Sequence, residues 1–357
     1  MKILISGNEA IAEGAIQAGC RFYAGYPITP QNELIAYMAK KMPEIGRDFV
    51  QAESELAAIN MVYGAAAAGA RAMTSSSSPG ISLKQEGISY LAGAELPAVI
   101  VNVMRGGPGL GNIAPAQSDY FQAVKGGGHG DYHCIVLAPS CVQEAYDIMK
   151  PAFGLADKYR NPVIVLGDGI LGQMMEPIQV TSHQSPVTSY KKPWALTGCN
   201  NRKPTMIKSF YMQEGELEKF NLVLQKKYNV IKEKEQRYET FLIDDAETIL
   251  VAYGTMARIA KNAVKRLRVK GKKTGLIRPI TLWPFPEEIF NKLNTQHSTP
   301  NTLLVIEMSY GQMVEDVKLA VNGKYPVKFL GRAGGGIISE EEIINKLTEN
   351  SVQSTEK

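Results

Sequence analysis

The sequence predicts an α/β protein: a doubly wound, mostly parallel sheet followed by a smaller α/β unit. Short apolar runs alternate with small-residue amphipathic stretches through the first 170 residues, and the same alternation returns after residue 248. Several of the apolar runs are continuous Val, Ile and Leu, which is typical of parallel strands buried on both faces. Strands that alternate with helices build doubly wound sheets, whose ligands bind in the loops beyond the carboxyl ends of the strands.

Residues 1–175 form the first predicted unit. Its strands are apolar runs bounded by Gly, Pro, Asn or Ser, and its helices are the stretches between them with apolar residues at helical spacing. The predicted strands are Ile3–Ser6, Arg21–Gly25, Phe49–Ala52, Ala72–Ser75, Ala98–Met104, Ile135–Ala138 and Val163–Gly167. The predicted helices are Glu9–Ala18, Pro30–Lys41, Ser54–Ala68, Ile81–Ala94, Ser118–Lys125 and Val142–Tyr159.

Residues 176–245 change in character and are predicted to link the two units. The stretch from Pro177 to Pro204 is rich in Ser, Thr and Pro, whereas Gln213–Glu239 is highly charged and predicts an exposed helix. Residues 246–347 form the second unit, and residues 348–357 form a tail whose end is expected to fray. The predicted elements of the second unit are strands Ile249–Tyr253, Thr274–Pro279, Leu303–Glu307 and Val327–Gly331 and helices Met256–Arg268, Pro286–Leu293 and Gln312–Asn322.

Composition excludes several classes of protein. The 357 residues are 45% hydrophobic and 21% charged, the balance of a folded globular chain. No apolar run reaches the roughly 20 residues that cross a bilayer, and the N-terminal run is too short for a secretory signal, so we expect a cytoplasmic protein with no membrane partner. The four cysteines lie far apart without a CxxC pair, which disfavours a disulfide framework, a zinc ribbon or an iron–sulfur cluster held by this chain.

Charge is unevenly distributed along the chain. Residues 1–180 carry 12 basic and 16 acidic side chains, while residues 181–357 carry 27 and 19, for an overall net charge of +4. The densest basic run, Arg258–Lys273, contains no aromatic residue, and its first members recur at helical spacing. That pattern favours a solvated helix face, and we predict no nucleic-acid partner.

The first strand-end loop with candidate site residues, Gly25–Pro30, has the sequence GYPITP. Thr29 is predicted as the N-cap of the next helix and Pro30 as its first residue. One interpretation is a helix start and nothing more. The other is a loop that presents a hydroxyl and free N–H groups to a carboxylate or a ring.

The second candidate is the stretch Phe49–Glu55, which leads into a helix rich in Ala and Gly. The dipole of that helix favours carboxylates at its start, which accounts for one of Glu53 and Glu55. The many small residues indicate that a second backbone or a flat ligand packs closely against the helix. A carboxylate in such a crowded, dry place can hold or share a proton.

The third candidate, Arg105–Gly111, has the sequence RGGPGLG and follows a long apolar strand. Its glycine spacing is close to a dinucleotide fingerprint, but Asn112–Pro115 does not open the helix which that fingerprint needs. A mobile loop fits better, because it can close over an anionic substrate with Arg105 binding the carboxylate. The alternative is a solvated turn.

Three further patterns give weaker evidence of a functional site. Ser75–Gly80 offers hydroxyls at another strand end, but no His/Asp constellation indicates a nucleophile. His129–Cys134 follows three glycines that signal a turn, and no further ligands cluster with it, so we predict no metal site. Gly167–Gly169 with Asn200 and Asn201 imitates a motif that binds a diphosphate and its metal, but the gap is too long and a linker follows in place of the helix, so we reject it.

Together these stretches resemble one protein family. The segments YPITP, QAESELAAINMVYGAAAAGARAMTSSSSPGISL, VNVMRGGPGLG and KGGGHGDYHCIVLAPSCVQEA are similar to the alpha, pyrimidine-binding subunit of the 2-oxoacid:ferredoxin oxidoreductases, in particular its ketoisovalerate (3-methyl-2-oxobutanoate) branch. The resemblance runs from about Ile3 to Ile338 and includes YGTMARIA and IRPITLWPFP. It implies a thiamine-diphosphate pyrimidine-binding domain followed by a domain similar to the transketolase C-terminal domain.

The resemblance implies a role for each loop. Glu55 matches the catalytic glutamate, which hydrogen-bonds N1′ of the thiamine aminopyrimidine and so promotes removal of the thiazolium C2 proton. Thr29 matches a substrate-contacting threonine, and Arg105 matches the arginine that binds the substrate carboxylate. The residues that would line the pyrimidine and substrate pocket are Tyr26, Pro27 and Ile28.

The resemblance also implies an assembly. In the family a beta subunit holds the magnesium ion and the diphosphate, and gamma and ferredoxin-like delta subunits complete the complex. Iron–sulfur clusters on partner subunits pass electrons to ferredoxin, and coenzyme A takes the acyl group. Three alternatives stay open: a subunit specific for 2-oxoglutarate, a non-oxidative thiamine enzyme of transketolase type, and a non-catalytic scaffold that docks an acidic ferredoxin.

Overall fold

The computed structural model describes residues 2–180, 192–293 and 299–352. Its strands are β1 (Lys2–Ser6), β2 (Phe22–Gly25), β3 (Asp48–Gln51), β4 (Ala72–Ser76), β5 (Ala98–Met104), β6 (Ile135–Leu137), β7 (Pro162–Asp168), β8 (Met175–Gln179), β9 (Tyr238–Phe241), β10 (Thr248–Val251), β11 (Thr274–Pro279), β12 (Thr281–Trp283), β13 (Thr302–Glu307) and β14 (Val327–Gly331). Its helices are α1 (Gly7–Gln17), α2 (Asn32–Glu44), α3 (Glu55–Ala67), α4 (Ser78–Gly93), α5 (Tyr120–Val124), α6 (Val142–Asp147), α7 (Met149–Tyr159), α8 (Gly169–Gln173), α9 (Glu216–Lys234), α10 (Gly254–Val269), α11 (Glu287–Lys292), α12 (Met313–Val321) and α13 (Glu340–Val352).

The larger sheet confirms the predicted α/β class. Its seven strands have the spatial order β12-β6-β7-β5-β4-β2-β3, and all neighbours run parallel except β12 and β6. Strands β5 and β7 are buried along their whole length, as their continuous apolar runs predict. Helices α3, α4 and α7 pack against this sheet. The carboxyl ends of β2, β3, β4 and β5 therefore lie side by side.

The first strand lies outside that sheet, which corrects its prediction as one of the buried parallel strands. Strand β1 pairs antiparallel with β8, from Lys2 opposite Gln179 to Ser6 opposite Met175. The reason is visible in its burial, because Ile5 is buried whereas Leu4 is 65% exposed. A strand with one buried face suits a two-stranded ribbon at the surface better than the centre of a doubly wound sheet.

The predicted helix Val142–Tyr159 is two helices, α6 and α7, interrupted at Ile148. Pro151 explains the break, because it has no N–H to donate to the carbonyl of Asp147 and its ring crowds that carbonyl.

The second sheet has five strands in the order β14-β13-β10-β11-β9. Its neighbours are parallel except β9, which runs antiparallel to β11. Helices α10 and α13 pack together, and α10 also contacts β11 and β13. This is the smaller α/β unit that the returning alternation predicted.

Three strands lie across the predicted division into residues 1–175, 176–245, 246–347 and 348–357. Strand β8, from the predicted linker, pairs with β1, and β9, at the end of that linker, joins the second sheet. Strand β12, from the second predicted unit, completes the first sheet. The division itself stays a prediction, and its residues 1, 181–191, 294–298 and 353–357 lie outside the described part of the chain.

Helix α9 is amphipathic, which corrects the expectation of an exposed helix. Three residues at helical spacing, Leu224, Tyr228 and Ile231, are buried. The Tyr228 ring meets Trp283 of β12 edge-on, with 5.8 Å between ring centroids. Charged side chains cover the rest of the helix, so its composition alone concealed the buried face.

Side-chain hydrogen bonds join the two halves of the chain. Gln117 donates to the carbonyl of Tyr253 at 2.9 Å and accepts from the N–H of Met308 at 3.0 Å. The Thr255 hydroxyl donates to Asp168 Oδ1 at 2.9 Å. These groups are buried, and buried polar groups that find partners hold their elements in fixed positions.

The basic run forms α10 and the turn that follows it. Arg258 Nη1 lies 2.6 Å from a Glu176 carboxylate oxygen, and Arg268 Nη2 lies 2.7 Å from one of Asp245. The basic residues therefore lie on a helix face and form ion pairs with acidic residues of the same chain.

The described cysteines Cys20, Cys134, Cys141 and Cys199 are free thiols. Among the residues with described structure, no helix has both the length and the apolar character needed to cross a bilayer.

Candidate active site

Four loops meet at the carboxyl ends of β2, β3, β4 and β5. They comprise residues 26–31, 52–54, 77 and 105–119. Every predicted site residue lies on one of these loops or on the first residue of the helix that follows. Parallel α/β sheets bind their ligands at this edge.

Glu55 is the first residue of α3 and is only 6% exposed. The Ser54 hydroxyl accepts from the N–H of Ala57 at 3.1 Å, which caps the helix and fixes its first turn. A Cβ added to Gly80 of α4 would lie 2.4 Å from Glu55 Oε1 and 2.1 Å from Ser76 Oγ, so a larger residue fits there only if both side chains move. The small residues of α3 predicted that a second backbone or a flat ligand packs closely against this helix. In the structure the backbone of α4 does so.

Two buried hydroxyls lie where β4 turns into α4. Ser76 Oγ and Ser77 Oγ have no hydrogen-bond partner in the described part of the chain. The Glu55 carboxylate likewise receives no donor from the described residues. A buried polar atom without a partner costs about 1–3 kcal/mol, and such atoms need an explanation. This cluster offers donors and acceptors that suit a ring with both nitrogen acceptors and an amine.

Arg105 connects its own Gly-rich loop, Arg105–Gly111, to the loop Gly25–Pro30. Its Nη1 donates to the carbonyl of Thr29 at 2.9 Å, and its Nη2 donates to the carbonyl of Leu110 at 3.1 Å. The side chain is 9% exposed, and its Nε is buried with no partner among the described residues. The structure thus brings Thr29 and Arg105 together and leaves the buried Nε–H of Arg105 without an acceptor among the described residues.

A buried hydrogen-bond chain that the sequence did not reveal supports the YPITP loop. The Tyr23 hydroxyl and Ser75 Oγ are 2.6 Å apart, and Ser75 Oγ donates to Gln31 Oε1 at 2.6 Å. Gln31 Nε2 then donates to the carbonyl of Tyr26 at 3.2 Å. The members come from β2, β4 and the start of α2, so the chain exists only once the sheet has formed.

The start of α2 corrects two predictions. The helix begins at Asn32 with Gln31 as its N-cap, so Thr29 is not the N-cap and Pro30 is not the first helical residue. The Pro30 carbonyl accepts from Asn8 Nδ2 at 2.7 Å, and the Gln31 side chain is directed inward to Ser75, so helical hydrogen bonding starts two residues later. The loop residues Tyr26 and Pro27 are exposed, while Ile28 and Thr29 are half-buried.

Asp119 orders the start of α4 and was not singled out in the sequence. Its Oδ2 accepts from Ser78 Oγ at 2.6 Å and from Asn102 Nδ2 at 2.9 Å, and burial raises its pKa. Ser78 Oγ in turn accepts from the Arg105 N–H at 3.0 Å. The chain of bonds from Asp119 to Arg105 links the Gly-rich loop to the helix that packs on Glu55.

Lys84 of α4 is the second residue that the sequence did not reveal. It is fully buried, and its Nζ donates to the backbone carbonyl of Glu55 at 3.3 Å and to Thr74 Oγ1 at 3.2 Å. Burial lowers the pKa of Lys84 to about 8, while the attraction of Glu55 acts in the opposite direction. The signal that could have identified it is the spacing of Gly80, Lys84 and Gly87, which places all three on one face of a helix.

Two of the weaker patterns have structural explanations. His133 stacks on Trp283 with 4.5 Å between ring centroids, and no group of three or more His, Cys, Asp or Glu among the described residues could hold a metal. A short helix, α8, does follow Gly167–Gly169, contrary to expectation, but Asp168 is its N-cap and accepts from the N–H groups of Ile170 and Leu171 at 3.0 Å.

Two family models match the chain. One, described as pyruvate flavodoxin/ferredoxin oxidoreductase, thiamine diphosphate-binding, covers residues 13–242. The other, pyruvate:ferredoxin oxidoreductase core domain II, covers residues 246–343. Two strands cross this division, because β9 lies in the first match but joins the second sheet, and β12 lies in the second match but joins the first sheet.

Several relatives match over nearly the whole length, and two of them represent different branches. The chain is 52% identical to the ketoisovalerate oxidoreductase subunit VorB of Methanothermobacter marburgensis, over 99% of both chains. It is 38% identical to the 2-oxoglutarate synthase subunit KorA of the same organism, over 96% of this chain and 97% of that one.

Solved structures show the same fold. A 2-oxoglutarate:ferredoxin oxidoreductase from Magnetococcus marinus, with 2-oxoglutarate, coenzyme A and succinyl-CoA bound, superposes with a TM-score of 0.85 at 27% identity. The match covers 98% of this chain and 65% of that one, so this chain spans about two thirds of its length. A split-gene transketolase shares only the fold, with a TM-score of 0.59 at 13% identity over 97% of both chains. The chain belongs to the 2-oxoacid:ferredoxin oxidoreductase family, as a subunit that carries the thiamine diphosphate-binding fold.

Proposed function

We propose that this chain carries the catalytic glutamate of a complex that oxidatively decarboxylates branched-chain 2-oxoacids, above all 3-methyl-2-oxobutanoate. The observation that carries the proposal is the 52% identity to a ketoisovalerate oxidoreductase subunit, against 38% to a 2-oxoglutarate synthase subunit. In the proposed reaction the 2-oxoacid, coenzyme A and two oxidised ferredoxins give acyl-CoA, carbon dioxide, two reduced ferredoxins and a proton. We place the complex in the cytoplasm.

The site fits the aminopyrimidine of thiamine diphosphate. The Glu55 carboxylate packs directly against Gly80, and the hydroxyls of Ser76 and Ser77 beside it are buried with no partner in the described part of the chain. When bound, thiamine diphosphate supplies the nucleophilic carbon that attacks the 2-oxo group and the electron sink that allows carbon dioxide to leave. Tyr26, Pro27 and Ile28, on the loop above, would line the ring and substrate pocket.

Glu55 and Arg105 divide the work of this chain. Glu55, buried at the start of α3, holds a proton at N1′ of the ring. Arg105 binds the substrate carboxylate through the Nε that has no partner in the described structure, while its other nitrogens hold the Thr29 and Leu110 carbonyls. Thr29 contacts the substrate from the opposite loop. Closure of the Gly-rich loop would exclude water.

The remaining parts belong to partner subunits. We propose a beta subunit that holds magnesium and the diphosphate, and gamma and ferredoxin-like delta subunits that carry iron–sulfur clusters and reduce ferredoxin. The curated relatives are named as subunits, which supports such an assembly. The coenzyme A bound in the Magnetococcus marinus structure supports coenzyme A as the acyl acceptor.

The test uses this chain co-expressed anaerobically with its partner subunits. Coenzyme A-dependent reduction of a viologen dye is followed with 3-methyl-2-oxobutanoate, 2-oxoglutarate and pyruvate, for wild type, Glu55→Gln and Glu53→Gln. We expect preference for the branched acid and a loss of about 10²–10⁴-fold in kcat for Glu55→Gln. Glu53 is exposed on the same loop, so Glu53→Gln should retain activity.

Each of the other outcomes would indicate a different function for this chain. Preference for 2-oxoglutarate would assign the chain to the branch of the KorA relatives. Full activity of Glu55→Gln in an assembled complex would indicate a scaffold subunit. A cofactor-loaded complex that oxidises no 2-oxoacid would contradict the oxidoreductase function and favour a transketolase-type reaction.

A further inference from the structure

Lys84 lies on the face of α4 that packs against α3. Gly80, one turn before it, faces the Glu55 carboxylate, and Gly87, one turn after it, faces Ile59, whose Cγ2 would lie 2.6 Å from an added Cβ. The two glycines allow the helices to approach so closely that the Lys84 side chain is fully enclosed between them. A lysine almost never occupies such a position unless its charge is balanced.

The hydrogen bonds of Lys84 do not balance its charge. Both acceptors, the Glu55 backbone carbonyl on α3 and Thr74 Oγ1 on β4, are neutral. Within the described structure, Glu55 is the charged group whose attraction opposes the effect of burial on Lys84. An isolated buried ammonium is strongly unfavourable, so the Glu55 carboxylate is the charge that compensates it.

We propose that Lys84 is a positioning residue for the reaction, which holds the first turn of α3 and provides the buried counter-charge of the Glu55 carboxylate. The inference rests on the proposed function of Glu55. A positive charge beside Glu55 disfavours protonation of the ring nitrogen that Glu55 would contact, and so favours release of that proton from the ring. Lys84 thereby sets the pH at which that proton is held, although it touches neither ring nor substrate.

The experiment titrates the cofactor in the assembled complex without substrate. Thiamine diphosphate is bound to wild type, Lys84→Met, Lys84→Gln and Lys227→Met, and near-ultraviolet circular dichroism of the bound ring is followed from pH 5 to 7, below the pKa of about 8 at which Lys84 loses its charge. The dissociation constant of the cofactor is measured in parallel. Lys227→Met is the matched control. Lys227, on α9, is a second desolvated lysine, and it forms an ion pair with Glu95.

We expect the midpoint of the ring titration to move to higher pH by about one pH unit or more in both Lys84 variants, because a nearby positive charge is lost. Cofactor binding should weaken about tenfold in Lys84→Met, since a charge-assisted contact is lost. Lys84→Gln keeps a donor for the same oxygens, so the midpoint shift in this variant reports charge and not packing. Lys227→Met should match the wild type in both measurements.

An unchanged midpoint in Lys84→Gln would overturn the proposal. Failure of both Lys84 variants to assemble, with Lys227→Met assembled, would assign Lys84 to folding and overturn it equally. A wild-type complex that binds no thiamine diphosphate would overturn the proposed function itself, which the titration separates from the role of Lys84.

Discussion

Gly80→Ala is the change that tests the geometry around Glu55 most directly. The added Cβ would lie 2.4 Å from Glu55 Oε1 and 2.1 Å from Ser76 Oγ, whereas ordinary contact begins at 3.4 Å. Each oxygen must therefore retreat by about 1 Å, and both belong to the ends of side chains that can move. The variant should fold, with the displacement shared by the Ser76 hydroxyl and the Glu55 carboxylate, which we propose as catalytic.

The magnitude follows from that displacement. A misplacement of about 1 Å in a catalytic group costs roughly 100-fold in rate, which is about 2.7 kcal/mol of transition-state stabilisation. The free energy of unfolding should fall by about 1–3 kcal/mol, the usual cost of an extra methyl group in a packed site. The assays are viologen reduction by 3-methyl-2-oxobutanoate at saturating thiamine diphosphate, and denaturant unfolding of the chain.

Gly64→Ala provides the control within α3. No heavy atom lies within 4 Å of its added Cβ, so this variant should keep its activity and gain about 0.5–1 kcal/mol of stability from the better helix propensity of alanine. Gly80→Ala with wild-type kcat/KM at full cofactor occupancy would refute the reasoning, because the methyl group would then fit without moving Glu55.

Two further predictions concern Arg105 and His133. Arg105→Lys loses the fork that holds two loop carbonyls and the free Nε, so KM for the 2-oxoacid should rise about 10–100-fold; an unchanged KM in steady-state kinetics would argue against carboxylate binding by Arg105. Burial and the charge of Lys232 lower the pKa of His133 from 6.5 to about 4, so the unfolded chain binds the proton more readily and the stability contributed by neutral His133 is lost as pH falls from 6.5 towards 4. His133→Phe should remove that part of the pH dependence in denaturant unfolding between pH 7 and pH 4.5, and identical slopes for the two proteins would contradict the assignment.

The sequence predicted most of the fold, because continuous apolar runs and helical spacing are local signals. The prediction failed where one local pattern is compatible with two different structures. The run Ile3–Ile5 is as apolar as a central strand, and only the exposure of Leu4 assigns β1 to the surface ribbon. Pro151 was readable in the sequence, but the helical pattern continues on both sides of it and concealed the break.

The candidate site divides in a similar way. Glu55, Thr29 and Arg105 lie in loops that the resemblance identified, and the structure brings Arg105 and Thr29 into contact. Gln31 and Lys84 were not identified from the sequence, because their contacts are with residues 44 and 29 positions away, Ser75 and Glu55. A buried lysine looks like any surface lysine on an amphipathic helix until the neighbouring helix is in place.

Strand β12 has a consequence for how the protein can be divided. It comes from the half of the chain that matches the second family model, yet it forms the edge of the first sheet beside β6 and supplies Trp283, on which His133 stacks. A fragment ending at residue 245 would leave β6 as an open, apolar edge, which invites strand-to-strand association. The two family modules are therefore consecutive in sequence but share a sheet, and we expect an N-terminal fragment without β12 to aggregate more readily than the whole chain.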